Sequence, residues 1–135
     1  MRLDVAYSGA SSGDPVWTWT ANGSSAQFWY LLPYSQSVGH YLLVAGTNPQ
    51  VKMVLDVQYG GTESGTGVWL YESNDTPAQE WTFLDAGGGY YYIVPCENQS
   101  LALAVKNGSS AEGSDILVET RNGSIGQKWI LTRYY

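Results

Sequence analysis

One short pattern, a glutamine followed two residues later by a tryptophan, occurs three times in this sequence. The successive copies are 52 and 48 residues apart, and three other columns keep the same steps. Columns in register indicate a threefold internal repeat, which constrains the fold more than any other feature. The columns contain Gln27-Phe28-Trp29, Gln79-Glu80-Trp81 and Gln127-Lys128-Trp129; Gly13, Gly65 and Gly113; Asn22, Asn74 and Asn122; and Asp4, Asp56 and Ala104.

The apolar segments of each repeat are short, rich in β-branched and aromatic residues, and separated by turn residues. None of them shows a sustained helical period, so the sequence predicts an all-β protein. Four short strands per repeat and three repeats predict a closed barrel with pseudo-threefold symmetry, the β-trefoil. We expect a single domain over residues 1–135, with repeats at 1–36, 37–86 and 87–135, and strands at 3–5, 16–20, 29–32, 41–44, 55–57, 68–71, 81–84, 90–94, 103–105, 116–119 and 129–132.

One strand is missing from this count. A linking strand precedes repeats 2 and 3, but nothing comparable precedes Leu3. Either Arg133-Tyr134-Tyr135 fills the gap, or the natural chain is longer at its N-terminus.

The charge of the chain limits its partners. The net charge is −6 with only six Lys and Arg residues, which argues against binding to nucleic acid or to anionic membranes. Aromatic residues make up 14% of the chain, and a neutral partner such as a sugar fits this surface better. No apolar run reaches the length of a membrane span. No signal peptide opens the chain, so we expect either an extracellular module of a secreted protein or a cytosolic protein.

The Gln-x-Trp pattern has first a structural interpretation. The three tryptophans are spaced to meet near one axis, where each buries a large aromatic surface. The three glutamines are expected to hydrogen-bond backbone groups of their own repeat, since an unpaired buried amide costs about 1–3 kcal/mol.

Three Gln-x-Trp copies in register with Leu-Asp-Val strands resemble the ricin-B-type lectins and the related carbohydrate-binding modules. The resemblance covers the whole chain. It implies a β-trefoil with up to three sugar sites, one per repeat, and it adds Gln27 and Gln79 to the residues expected near the sugar. Asp4 with Trp19, and Asp56 with Tyr71, occupy the positions that match the family's sites.

Strand alternation places the candidate site residues on one face, because successive side chains of a strand point to opposite sides. In repeats 1 and 2 the outward set combines a carboxylate with two aromatic rings, whereas repeat 3 has Ala104, Leu117 and Glu119. This joint loss indicates a single site that has lapsed in repeat 3. The candidate carbohydrate-binding residues are Asp4, Tyr7, Trp17, Trp19 and Gln27 in repeat 1, and Asp56, Tyr59, Trp69, Tyr71 and Gln79 in repeat 2.

These residue types suit a sugar. Carboxylate oxygens accept hydrogen bonds from adjacent hydroxyls, and a flat ring packs on the apolar face of a pyranose. Tyr7 and Tyr59, three residues after each Asp, are placed to wall the pocket. The alternatives are a turn-capping role for the two aspartates and packing against a neighbouring loop for Trp17 and Trp69.

We therefore expect a non-catalytic lectin or carbohydrate-binding module for galactose-type glycans or plant polysaccharides such as xylan, free or tethered to a catalytic or toxin domain. Its rivals are a protein-binding trefoil (a protease inhibitor or toxin-complex component) and a scaffold without a ligand. The last arises because the family carries an Asn immediately before the Gln, where this chain has Ala26, Ala78 and Gly126.

Other chemistry finds little support in the sequence. His40 is the only histidine, and no nucleophile, metal-ligand or phosphate-loop motif is present, so neither an enzyme nor a cofactor is expected. Cys96 is the only cysteine and is expected to be a small buried hydrophobe. The five Asn-x-Ser/Thr sequences are interpreted as turns rather than as glycosylation sites.

Overall fold

The computed structural model describes residues 1–34 and 38–133. They form an all-β fold, as predicted, in which six three-residue 3-10 turns connect ten strands. The turns are Ala6–Ser8, Ser25–Gln27, Gln58–Gly60, Pro77–Gln79, Lys106–Gly108 and Ile125–Gln127. The strands are β1 (Arg2–Val5), β2 (Val16–Trp19), β3 (Trp29–Pro33), β4 (Tyr41–Ala45), β5 (Met53–Val57), β6 (Thr66–Glu72), β7 (Trp81–Gly87), β8 (Tyr90–Pro95), β9 (Leu101–Val105) and β10 (Ser114–Thr120).

Each repeat contains an antiparallel hairpin, formed by β1–β2, β5–β6 and β9–β10. The hairpins are joined to one another because β10 also pairs with β2 and with β6. A second kind of hairpin links the repeats, with β3 paired to β4 and β7 paired to β8. This arrangement is the β-trefoil, and the strand that precedes each 3-10 turn is thereby held at a fixed register to its partner.

The core lies between the inward faces of these strands. Val5, Leu55, Leu70, Leu103 and Val118 are fully buried in one cluster, as strand alternation predicts.

The three repeated tryptophans all belong to this core. Trp81 is fully buried, and Trp29 and Trp129 are partly buried against the same cluster. Each indole N–H donates to a backbone carbonyl 26 residues earlier, at distances of 3.0–3.1 Å; the acceptors are Leu3, Leu55 and Leu103. The tryptophans therefore tie the third strand segment of each repeat to its first strand.

The strand predicted at 129–132 is not formed, and that prediction is wrong. Trp129 makes only an isolated antiparallel bridge to Tyr91, through backbone hydrogen bonds of 2.7 and 2.9 Å. The equivalent strands β3 and β7 are extended by hairpin partners, and no strand of the described residues pairs with 130–133 in this way. Tyr134 and Tyr135 lie outside the described residues, so their predicted role in closing the barrel is untested.

Two smaller expectations concern Cys96 and the membrane. Cys96 is partly rather than fully buried. Burial, together with the nearby Glu80 carboxylate, raises the pKa of its thiol to about 11, so the thiol is protonated at neutral pH. Within residues 1–34 and 38–133, no helix is long and apolar enough to cross a membrane.

Candidate functional site

The hairpin register places each aspartate directly opposite a tryptophan. Asp4 of β1 faces Trp17 of β2, and Asp56 of β5 faces Trp69 of β6. The indole Nε1–H of the tryptophan donates to Oδ1 of the aspartate, at 2.8 Å in repeat 1 and 2.9 Å in repeat 2. The aspartates are therefore only 5% and 6% exposed, although they lie on the outer face of the strand as predicted.

In both repeats the second oxygen of the aspartate is hydrogen-bonded by the repeated glutamine. Gln27 Nε2 donates to Asp4 Oδ2 and to the Thr20 carbonyl, both at 2.9 Å, and its Oε1 accepts from the Asn22 N–H. The prediction that the glutamine bonds backbone groups of its own repeat is confirmed. Because both amide hydrogens are already donated, Gln27 supports the aspartate and has no donor left for a sugar.

Gln79 makes the same set of bonds in repeat 2. Its Nε2 donates to Asp56 Oδ2 at 2.8 Å and to the Glu72 carbonyl at 3.0 Å, and the side chain is fully buried. Gln27 and Gln79 therefore position the carboxylate from behind. Their expected place near the sugar stays a prediction.

Three aromatic rings lie side by side over each aspartate. In repeat 1, Trp17 lies between Tyr7 (centroids 4.9 Å apart, planes tilted by 55°) and Trp19 (4.8 Å, 23°). The corresponding values in repeat 2 are 5.2 Å and 56° for Tyr59–Trp69, and 5.5 Å and 27° for Trp69–Tyr71. Trp17 and Trp69 are thus the middle rings, covered on both sides, and the outer two rings of each group are better placed to offer a face to a ligand.

The outermost tyrosines occupy an unfavourable backbone conformation. Tyr7 and Tyr59 both have φ of 56°, in the left-handed region, and are 86% and 91% exposed. Left-handed backbone costs an ordinary L-residue roughly 1–2 kcal/mol, and asparagine tolerates it better. Repeat 3 has Asn107 at this position, with φ of 58°. Two repeats therefore retain a strained, solvent-exposed aromatic residue where the third carries a relaxed one, which is typical of functional positions.

A hollow of about 220 Å³ opens on repeat 1 between the carboxylate and the rings. Asp4 and Trp19 both line it, so the two residues share one surface. Sequence reasoning missed Ser8 and Ser24, which come from the two turns flanking the hairpin. The signal available for Ser24 was its column, which continues as Thr76 and Ser124. Asn22, interpreted from the sequence as a turn residue, also lines the hollow. The full lining is Asp4, Tyr7, Ser8, Trp17, Trp19, Asn22 and Ser24.

A second hollow, of about 270 Å³, lies between the three repeats. Neither Asp4 nor Asp56 lines it, and Trp69 is the one candidate site residue among its described lining. The first hollow therefore has the better claim to be a binding site, since its lining includes four of the candidate residues, Asp4, Tyr7, Trp17 and Trp19.

Burial dominates the electrostatics of the Asp56 carboxyl. Burial raises the pKa of the Asp56 carboxyl above its ordinary value, against the hydrogen bonds from Gln79 and Trp69, which lower it. The carboxylate of repeat 2 is therefore easier to protonate than an ordinary aspartate.

The asparagine column forms turns in all three repeats, as interpreted from the sequence. Asn22 Oδ1 accepts from the Ser24 N–H, Asn74 Oδ1 from the Thr76 N–H and Asn122 Oδ1 from the Ser124 N–H, at 2.9–3.2 Å. Each turn leads into the 3-10 segment that carries the glutamine.

Comparison with known proteins agrees with this architecture. Residues 1–71, 47–119 and 77–134 match the model of the family described as ricin-type beta-trefoil lectin domain-like. This chain belongs to that family. The resemblance seen in the sequence is thereby confirmed, and sugar binding is the general activity that membership of this lectin family supports.

Two solved structures resemble this lectin domain at 30% sequence identity. The designed threefold-symmetric protein ThreeFoil has a TM-score of 0.90, over 98% of this chain and 90% of that chain. The exo-beta-1,3-galactanase 1,3Gal43A from Clostridium thermocellum has a TM-score of 0.87, over 95% of this chain but 26% of that chain. Among curated proteins, the main hemagglutinin component type C of Clostridium botulinum C phage is 25% identical over 118 residues. The aligned region covers 86% of this lectin domain and 38% of the hemagglutinin component.

Repeat 3 of the lectin domain keeps the glutamine and changes its partner. Gln127 Nε2 donates to the Thr120 carbonyl at 2.9 Å, as in the other repeats, but its second hydrogen bond goes to Glu119 Oε2 at 2.7 Å. Ala104, which replaces the aspartate, faces Leu117 across the hairpin. The acid has thus moved to the position that the outer aromatic ring occupies in repeats 1 and 2.

Proposed function

We propose that this domain binds neutral glycans, without catalysis, through two shallow sites on the outer faces of repeats 1 and 2. The observation that carries the proposal is the hollow of repeat 1, where Asp4, Tyr7 and Trp19 converge. Repeat 2 has the same hydrogen bonds and the same ring contacts around Asp56.

The chemistry of the site supports a sugar ligand. Each aspartate oxygen accepts one hydrogen bond from the protein, and a carboxylate oxygen can accept about two. Each oxygen therefore keeps one further acceptor direction, and Asp4 lines the hollow together with the outer rings of Tyr7 and Trp19. The net charge of −6 disfavours acidic glycans through long-range repulsion.

Galactose-type glycans and plant polysaccharides such as xylan are the ligand classes that we favour. One structural relative at 30% identity is named an exo-beta-1,3-galactanase, an enzyme of galactose polymers. The hollow is smaller than the ~300–1,000 Å³ of typical ligand pockets, which suits one sugar unit bound weakly. Two such sites on one chain would gain avidity on a multivalent glycan.

We further propose a targeting role outside the cell. This chain spans only 26% of the galactanase and 38% of the hemagglutinin component, so domains of this kind occur within longer proteins. A non-catalytic role is supported by the lining of the repeat 1 hollow, in which Asp4 is the only carboxylate among the described residues. A glycosidase site requires two carboxylates that flank one bond.

A protein-binding role is the second candidate. The exposed rings of Tyr7 and Tyr59 favour it, since aromatic residues are enriched in protein interfaces. The name of the hemagglutinin component fits either candidate.

Repeat 3 suggests a variant that separates the two candidates without disturbing the fold. Substituting Asp4→Ala alone would leave one hydrogen of the Gln27 amide without an acceptor. Asp4→Ala combined with Trp19→Glu instead copies the Ala104 and Glu119 arrangement of repeat 3. The same exchange in repeat 2 is Asp56→Ala with Tyr71→Glu. The variant carrying all four substitutions should keep its cooperative unfolding transition and lose all signals on a glycan array.

The parent protein is the reference for this experiment. Binding to galactose-terminated or xylan-type glycans by the parent, and its loss in the folded variant, is the expected result. Unchanged glycan binding by the variant would place the sites elsewhere. A parent that binds no glycan would leave the protein-binding candidate.

A further inference from the structure

The hairpin loops connect the repeats in a cycle. Gly13 N–H of the first loop donates to the Leu70 carbonyl of repeat 2, and Gly65 N–H of the second loop donates to Val118 of repeat 3. Gly113 N–H of the third loop returns to the Thr18 carbonyl of repeat 1. All three bonds are 2.7 Å long. The loop of repeat 3 therefore lies on β2, the strand that carries Trp17 and Trp19.

Three further contacts fix the loop of repeat 3 (residues 109–113) on β2. The Thr18 hydroxyl donates to the Ala111 carbonyl at 3.4 Å, and the Thr20 hydroxyl donates to the Glu112 carboxylate. Directly after the loop, the first two residues of β10 pair with Thr18 and Trp17. The loop is thus bonded to β2 both before and after Gly113.

Gly113 lies beside those rings, one side-chain atom short of contact. A Cβ atom added to Gly113 would be 3.5 Å from Trp17 Cε3 and 3.7 Å from Trp19 Cζ3, which is ordinary van der Waals contact. The equivalent glycine of the first loop, Gly13, meets no described atom within 4 Å of such a Cβ. The Trp17–Trp19 centroids are 4.8 Å apart, against 5.5 Å for Trp69–Tyr71, a pair in which tyrosine stands at the position of Trp19.

We propose that Gly113 is a positioning residue of the repeat 1 site: the loop of repeat 3 holds Trp17 and Trp19 as a closely stacked pair. Repeat 3 then contributes to glycan binding although Ala104 stands at its position of Asp4 and Asp56. The binding part of this inference rests on the proposed function, whereas the positioning part rests on the ring contacts alone.

A matched pair of variants tests the inference on the full chain. Gly113→Asn and Gly13→Asn introduce the same side chain at two glycines of positive φ, 76° and 91°, and asparagine is among the residues that best tolerate this backbone. The indole N–H resonances of 15N-labelled protein report Trp17 and Trp19 for the first site and Trp69 for the second. Galactose and xylotriose serve as probes, and each titration gives both affinities in one sample.

We expect Gly113→Asn to shift the Trp17 and Trp19 indole signals in the sugar-free protein, with Trp69 unchanged, and to weaken binding at repeat 1 at least fivefold relative to repeat 2. Gly13→Asn should leave both affinities within twofold of the parent. Unmoved Trp17 and Trp19 signals, or equal effects of the two variants, would overturn the proposal.

Two other outcomes remain decisive. If neither sugar moves any indole signal of the parent, the proposed function fails, but the sugar-free spectra still decide the positioning role. If Gly113→Asn does not fold, Gly113→Ala, whose Cβ just reaches the rings, is judged by the same shifts.

Discussion

Gln127 donates a hydrogen bond to Glu119 at 2.7 Å, in the place where Gln27 and Gln79 donate to Asp4 and Asp56. The buried amide of each repeat therefore always has a carboxylate acceptor, whichever strand supplies it. This explains why the aspartate and the outer aromatic ring are absent together from repeat 3. Because Ala104 of β9 cannot accept a hydrogen bond through its side chain, Glu119 of β10 supplies the acceptor for Gln127. Glu119 stands where repeats 1 and 2 carry the outer ring.

Removing the acid of repeat 3 should destabilise the fold. Glu119→Ala leaves one hydrogen of the fully buried Gln127 amide without a partner, which costs about 1–3 kcal/mol. Glu119→Gln keeps an acceptor oxygen at nearly the same place and should cost less. Urea denaturation of the two variants checks this, and equal free energies of unfolding would contradict it.

A third glycan site should be obtained by restoring the residues of repeats 1 and 2 in repeat 3. The change combines Ala104→Asp, Asn107→Tyr, Leu117→Trp and Glu119→Tyr, so that Gln127 regains an aspartate acceptor beneath three rings. Calorimetric titration should then give three sites per chain instead of two. The matched control omits Ala104→Asp, has the rings without the carboxylate, and should stay at two. A stoichiometry of two for the complete set would show that these side chains do not make a site.

Tyr7→Asn should stabilise the protein and weaken its glycan binding. Relief of left-handed backbone strain gains about 1–2 kcal/mol, against about 0.5–1.5 kcal/mol for the lost ring contact with Trp17. We expect a net gain of roughly 0.5 kcal/mol in the free energy of unfolding and a severalfold loss of affinity at repeat 1. The reverse change, Asn107→Tyr, adds strain at repeat 3, where no site is proposed, and should lower stability with no effect on affinity. A Tyr7→Asn variant that binds as tightly as the parent would remove the tyrosine from the site.

Glycan binding at repeat 2 should weaken on acidification while the pH is still above 3.8, the ordinary pKa of an aspartate, because burial raises the pKa of Asp56. Protonation removes the charge that strengthens its hydrogen bonds to sugar hydroxyls. The Trp69 indole resonance, titrated with and without sugar, measures the midpoint, and a midpoint at or below 3.8 would contradict the expectation.

The same shift has a defined effect on stability. The folded state binds the Asp56 proton more tightly than the unfolded chain does, since the folded-state pKa is the higher one. This contribution to stability is fully present below pH 3.8 and is lost as the pH rises through the folded-state pKa.

Much of the fold and of the site could be predicted from the sequence because both follow the repeat. Strand alternation alone places Asp4, Trp17 and Trp19 on one outer face, and four in-register columns identify the threefold repeat of the trefoil. The division into repeats at residues 36 and 86 stays a prediction.

The remaining features depend on tertiary contacts that alternation does not encode. Trp17 donates its indole N–H to Asp4, and Gln27 donates both amide hydrogens to protein acceptors. Both arrangements follow from side-chain conformations in the folded hairpin. The predicted strand at 129–132 had the right composition, but a strand requires a hydrogen-bonded neighbour. The left-handed backbone of Tyr7 was hidden because tyrosine is an unusual residue for it, and Asn107 in the same column was the signal that could have found it.

The exchange of acceptors in repeat 3 offers a diagnostic for homologous chains. Glu119 lies 15 residues after Ala104, the same interval that separates Trp19 from Asp4. In any trefoil of this family, a lobe that has given up its ligand should therefore show an acidic residue at that interval whenever the glutamine persists. Repeats without a ligand site could then be recognised, and the number of binding sites per chain counted, from the sequence alone.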